Sequence, residues 1–379
     1  MALSWTVRRV LTHSDPDSLQ AQPGVVALSD GSYLFGWCYD FNNPASRWFR
    51  STDQGETWTE RTGTVGGAHA QPTRATNRPT GEVFFLGTTE GSENVSIMKS
   101  SDGAATWSQS EVYQNPPGPP FNQVLGTGII LVDRGTLIAC GQFDTSTGSP
   151  GIPFAVSTDG GGTWTTQENF LATSRASYAT AITNAGNGLL FCAAILKPAY
   201  SYYPNIFRST DGGASWHEAG ALPVPPNTIH VEIHAITAVT DQIIICCGSG
   251  VQTPHSTATH VFRSTDAGDT WSIIAPADIA GWNALGTDGQ CREVKRITRD
   301  AVILGINNLP DTNAPPWALS LDAGATYPLT PSVLGASIPN QAFALGSIVV
   351  AKNGNILLPV YADLGSSCER ELWIGNIEC

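Results

Sequence analysis

The residues best suited to proton transfer and anion binding lie between His69 and Arg292 of this 379-residue chain. An imidazole, a phenol and a carboxylate held near one another can divide the work of general acid, general base and nucleophile. His69, Tyr178, His230 and Glu232 are therefore the candidate catalytic groups, with Tyr178 and Glu232 the sharpest pair. A guanidinium fork meets a carboxylate through two parallel N–H bonds, which an ammonium does not match. Arg74, Arg175 and Arg292 accordingly read as substrate-binding residues, with Gln71, Lys197, Tyr202 and His255 adding polar and aromatic contacts. Each has a structural alternative: a strand-end histidine satisfying a backbone group, an arginine in a surface ion pair, loop aromatics packed on one another. The run His230-x-Glu232-x-His234 alternates as a strand does, which puts its three side chains on one face. His234 reads as turned into its own sheet. The spacing supplies no fourth ligand, so neither a metal nor another cofactor is expected.

What must position these groups is a repeat. The pattern Ser-x-Asp-x-Gly-x-Thr-Trp is met in full at 51–58, 157–164 and 264–271. At 209–216 Ser215 replaces Thr, at 100–107 Ala104 replaces Gly, and at 320–327 Tyr327 replaces Trp. The aspartates, at 53, 102, 159, 211, 266 and 322, are spaced 49, 57, 52, 55 and 56 residues apart. That period suits four strands and their loops. Within the motif Asp and Ser bond turn backbone, Gly accepts a positive φ and Trp packs between sheets, so the role is structural. The first unit reads GVVALSD, SYLFGWCYD, SRWFRST and TWTERT. After the sixth box, QAFALGSIVVAKNG, NILLPVYAD and RELWIGNI give three strands without a fourth, which SWTVRRVLT at the front supplies. The prediction is one all-β domain over 1–379: a seven-bladed β-propeller of four-stranded blades, its last blade closed by the N-terminal strand. Six blades with flanking strands is the alternative.

Composition agrees with many short strands and tight turns, with 39 Gly, 25 Pro and 11 Trp but only 13% charged residues. A net charge of −13 disfavours nucleic acid and anionic membrane surfaces as partners at long range. No apolar run is long enough to span a bilayer, and MALSWTVRRVLTHSD does not read as a signal peptide. The eight cysteines form no metal motif. Cys38, Cys140, Cys192, Cys246 and Cys247 sit in apolar strand-like runs as buried thiols, while a Cys291–Cys368 bridge stays open.

Six such motifs across nearly the whole chain resemble the Asp-box, or BNR repeat, of sialidase-like β-propellers. The resemblance implies that each box lies on the hairpin of strands three and four. Ligands are then met at the opposite mouth, rimmed by the connections from strand two to three and from strand four to the next blade. Aligning the strand 1–2 turns brings Ala21, Gln71, Tyr178 and Glu232 to one level. His69, Arg74, Arg175, His230, Arg292, Glu293, Lys295 and Arg296 crowd the same end, and LKPAYSYYPN and VQTPHSTATH read as rim loops. A sialidase of this kind has six blades and an Arg-Ile-Pro type segment opening the first, where this chain has Ala21-Gln22-Pro23. Both departures count against sialidase activity. Seven-bladed relatives of the type include lyases and glycosidases acting on uronate-containing glycans. The resemblance therefore implies cleavage of an acidic glycan, with β-elimination ahead of hydrolysis. The alternatives are a sialidase-like exo-glycosidase and a non-catalytic glycan-binding or viral or surface assembly propeller. A glycan partner, a monomer and an extracellular location go with this reading.

Overall fold

The computed structural model describes residues 4–15, 23–37, 47–61, 68–89, 95–113, 125–142, 154–167, 176–197, 203–225, 228–252, 256–279, 290–307, 317–329, 332–333, 343–345, 348–363 and 368–378. Apart from one short 3-10 turn at Pro276–Asp278, the regular structure among them is strand. Five consecutive groups are four-stranded antiparallel meanders. Blade one is built from Gly24–Ala27, Tyr33–Trp37, Arg47–Ser51 and Thr59–Arg61, and blade two from Ala68–Asn77, Val83–Thr89, Val95–Ser100 and Ser108–Tyr113. Blade three has Leu125–Leu131, Leu137–Gln142, Phe154–Ser157 and Thr165–Gln167, and blade four Ala176–Gly186, Leu189–Lys197, Tyr203–Ser209 and His217–Glu218. Blade five follows with Thr228–Ala238, Ile244–Gln252, Ser256–Ser264 and Ser272–Ile273. Blade six pairs Gln290–Arg296, Val302–Asn307 and Trp317–Ser320, and Leu329 bridges back to Leu319 in place of a longer fourth strand.

Blade seven joins the two ends of the chain. Phe343–Leu345 and Val349–Val350 pair with Ile356–Asp363, which pairs with Cys368–Glu378. Ser4–Asp15 then lies antiparallel along Cys368–Glu378, from Ser4 opposite Glu378 to Asp15 opposite Cys368. Seven apolar cores, one at each blade interface, decide between seven and six blades. The closing core sets Val25, Tyr33 and Phe35 of blade one against Leu357, Leu372 and Ile374 of blade seven. A seven-bladed ring follows.

The boxes repeat one hydrogen-bond pattern. In the first, Ser51 Oγ donates to Asp53 at 2.8 Å and accepts the Gly55 N–H at 2.8 Å, while Asp53 accepts the Thr57 N–H at 2.9 Å. The worn copies keep the pattern, with Ala104 N–H on Ser100 Oγ at 2.9 Å and Gly324 N–H on Ser320 Oγ at 2.8 Å. The fifth motif position favours glycine for two reasons, although blade two carries Ala104 there at a φ of +70°. Its φ is positive, +94° at Gly213, and a Cβ there would stand 2.4 Å from Ile138 Cδ1 of the preceding blade. In the second, fourth and fifth boxes the residue before the box serine reaches across to the next box. Lys99 reaches the Gly160 carbonyl at 3.3 Å, Arg208 the Ala267 carbonyl at 2.9 Å and Arg263 the Ala323 carbonyl at 3.0 Å.

The buried thiols are as expected at Cys140, Cys192, Cys246 and Cys247, and Cys38 lies outside the described residues. Cys291 is a buried free thiol packed near Cys247 in the core between blades five and six, so the Cys291–Cys368 bridge is not formed.

Candidate functional site

The box serines supply a common ruler for the inner strands. They pair with Val83, Leu137, Leu190, Ile244 and Val302 in blades two to six. Five residues further along each second strand stand Thr88, Gln142, Ile195, Ser249 and Asn307. Their first-strand partners are His69, Leu125, Tyr178, Glu232 and Gln290. The backbones of His69, Tyr178 and Glu232 thus share one level, about 17 Å from the box end at strand rise. Tyr178 also pairs with Gln142 of blade three.

Gln71 does not belong to that level. It pairs with Leu86, two positions nearer the boxes, because the ladder of blade two is interrupted over residues 72–74. Pro72 has no N–H to give a ladder, and the longer bulge carries His69 to the place assigned from the turn alignment to Gln71. Arg74 lies within the interruption. Blades three to six skip a single residue at the corresponding place: Thr127, Thr180, His234 and Arg292. Lys197 pairs with Ala176 at the far end of its hairpin. Arg175, Tyr202 and His255 lie outside the described residues.

The described side chains converge at the seam between blades five and six. Along the first strand of blade five, Val231 and Ile233 are buried in the core shared with blade four. His230, Glu232 and His234 alternate with them and remain half-buried, on the face turned to blade six. There His234 Nε2 lies 2.7 Å from Ser249 Oγ, and Arg292 of blade six donates from Nη1 to His234 Nδ1 at 3.2 Å. Thr259 Oγ1 accepts the Cys291 N–H at 3.1 Å across the same seam. Gly250 gives the strand room on its other face. A Cβ at that position would meet the His230 carbonyl at 2.8 Å and His260 Nε2 at 2.9 Å.

Electrostatics keep the imidazoles neutral. Burial lowers the His230 pKa, and the Glu232 carboxylate partly offsets the shift. Burial, then the Arg292 charge, then His230 push His234 down to about 3. Arg292 keeps much of its side chain exposed, yet the seam lowers its pKa while Glu232 opposes that shift. Glu293, next in sequence, is half-buried. Its withdrawal from water pushes its carboxyl up to about 7 against the pull of Lys295.

His230, Glu232 and Arg292 are therefore brought together, with mutual electrostatic influence. His234, read from sequence as turned into its sheet, instead links the two blades. Ser249 was not singled out, although the alternation of Cys247 and Ser249 in IIICCGSG carries the signal for a shared face. Both ring nitrogens of His234 are engaged, Nε2 by Ser249 and Nδ1 by Arg292. Among the described residues no group of three His, Cys, Asp or Glu side chains is arranged to hold a metal. No helix among them is long and apolar enough to cross a membrane.

Fold and repeats define a seven-bladed β-propeller that carries Asp-box (BNR-repeat) motifs. The BNR/Asp-box repeat family model matches residues 49–60. A xyloglucanase of a Paenibacillus species is 25% identical over 283 residues, which cover 71% of this chain and 22% of that protein. The chain thus spans under a quarter of the length of this curated relative. Among solved structures, a protein of unknown function from Dyadobacter fermentans has 16% identity and a TM-score of 0.52, covering 98% of this chain and 99% of that one. The leech intramolecular trans-sialidase has 11% identity and a TM-score of 0.54, covering 97% and 70%. At these identities the structural likeness is one of fold.

Proposed function

We propose that the protein is a carbohydrate-active enzyme that cleaves an acidic, uronate-containing glycan at the mouth opposite the boxes, by β-elimination in preference to hydrolysis. The observation that carries this reading is the blade five–six seam, which gathers a guanidinium, a carboxylate and two neutral imidazoles. Arg292 meets the uronate carboxylate and withdraws charge from it, which acidifies the proton on the adjacent ring carbon. His230, kept unprotonated by burial, accepts that proton. As the glycosidic C–O bond breaks, its electron pair leaves with the oxygen, which takes a proton from a donor such as Tyr178. A double bond forms between the two ring carbons. His69 and Tyr178 stand at the backbone level of Glu232 on blades two and four. Arg74, Arg175, Lys197, Tyr202, His255 and Gln71 serve as further substrate contacts in this reading.

Hydrolysis is the second reading, favoured by the xyloglucanase relative. It assigns Glu232 as one of the two carboxylates that glycoside hydrolysis ordinarily needs. A panel of uronate glycans and xyloglucan separates the two. Ultraviolet absorbance of an unsaturated uronate together with new reducing ends supports elimination, and reducing ends alone support hydrolysis. Neither signal on any glycan, with binding retained, would replace the enzyme by a glycan-binding propeller.

A further inference from the structure

The contacts around His234 have a direction. A guanidinium has donors and no acceptor, so His234 Nδ1, 3.2 Å from Arg292 Nη1, must present its lone pair. The neutral ring then carries its one proton on Nε2, 2.7 Å from Ser249 Oγ. The imidazole therefore donates to the serine. This is the reverse of the arrangement in which a histidine strips a serine of its proton, and it excludes Ser249 as a nucleophile activated by His234. With one Oγ lone pair occupied by the ring, the Ser249 hydroxyl hydrogen is turned elsewhere. Ser249 is 7% exposed, and it stands directly opposite Glu232 in the ladder, which places both side chains on the seam face.

We propose that Arg292, His234 and Ser249 form a one-way hydrogen-bond chain that fixes the Ser249 hydroxyl as a donor to a sugar oxygen bound beside Glu232. Within this chain His234 is a positioning residue and Ser249 a substrate-binding one. The ligand part rests on the glycan reading above, whereas the direction of the chain does not. The low His234 pKa, about 3, agrees with a ring that stays neutral while it donates.

Two measurements test it separately. Nitrogen-15 NMR of the ligand-free protein at neutral pH reads the His234 tautomer, assigned with His234→Gln. The Nε2–H form is expected, and an Nδ1–H or doubly protonated ring would overturn the chain. The second measurement uses the glycan of the panel that the wild type cleaves or binds. Ser249→Ala should raise KM, or Kd, about tenfold, with kcat changed less than about threefold, the size of one lost hydrogen bond. His234→Ala should do the same. His234→Gln should restore most of the affinity, because its amide oxygen can accept from Arg292 while its amide N–H donates to Ser249. Unchanged affinity in Ser249→Ala would overturn Ser249 as a donor. A Gln variant no better than the Ala variant would overturn the directional role of His234. A wild type that engages no glycan would overturn the glycan reading and the ligand role of Ser249 with it, while the tautomer measurement still decides the direction.

Discussion

At the scale of single residues, the seam combines groups whose environments push their proton affinities in different directions. His230 and His234 are held neutral, whereas Glu293 is pushed toward its protonated form. Arg292→Ala should lower kcat/KM on a uronate glycan by about 100-fold, as expected for a lost oxyanion-type donor. It should do far less on a neutral glycan, a contrast read from the same assay. Glu293 offers a check on its own protonation that requires no substrate. Its folded pKa of about 7 exceeds the ordinary glutamate value of 4.5, so the folded state holds a proton that the unfolded chain has released between those values. That contribution is present at low pH and is lost as pH rises through about 7. Glu293→Gln should therefore raise the melting temperature at pH 8 by about 1–3 °C and leave it nearly unchanged at pH 4. Equal shifts at both values would show that the carboxyl is not raised.

At the scale of elements, box and blade were legible from the chain because the motif is local. Its hydrogen bonds close within the eight residues of a box such as Ser51–Trp58, so type and spacing suffice to find it. The level of the inner-strand residues was not legible to the same degree. A bulge changes which residues stand opposite without leaving a fixed mark in sequence, and blade two skips three residues where blades three to six skip one. That difference put Gln71 where His69 stands. His234 sits at a bulge yet stays on the face that the alternation with His230 and Glu232 assigns it, so the structure does not support reading it as turned into its sheet. The ties between boxes are a further consequence of the repeat. Arg263→Ala should cost about 1–2 kcal/mol in denaturant unfolding by freeing the Ala323 carbonyl from a charged donor. Gly250→Ala is more severe, since its Cβ would meet backbone at His230 as well as the His260 ring. It should lower stability and displace His230 together.

At the scale of the molecule, ring closure depends on Ser4–Asp15, paired along the whole of Cys368–Glu378. Removing residues 1–15 should leave that strand as an open edge, lowering the thermal midpoint and promoting self-association visible by light scattering. An unchanged monomer would mean that blade seven is complete with three strands. The boxes also give the ring a shared acid sensitivity. Thr57 hydroxyl and N–H bonds, then Ser51, hold Asp53 at about 2, and Thr270 and Ser264 hold Asp266 at about 2. At Asp102 and Asp322 burial acts the other way but is outweighed by the same kind of bonds. Each folded pKa lies below its unfolded value, so this stabilisation is present above about pH 4 and disappears as pH falls toward 2. His234 and His260, lowered to about 3 and about 4, begin to oppose the fold earlier, as pH drops below about 6.5. Acid unfolding should therefore start with a shallow loss of stability and steepen below pH 4.

The most direct test of a functional seam is hydrogen–deuterium exchange of the whole protein with and without an oligosaccharide from a glycan it cleaves or binds. Slower exchange is expected in 228–234, 247–252 and 290–293, with the box hairpins unchanged. Protection confined to the box face, or to blades far from five and six, would contradict the assignment of Glu232, His234, Ser249 and Arg292 to the site.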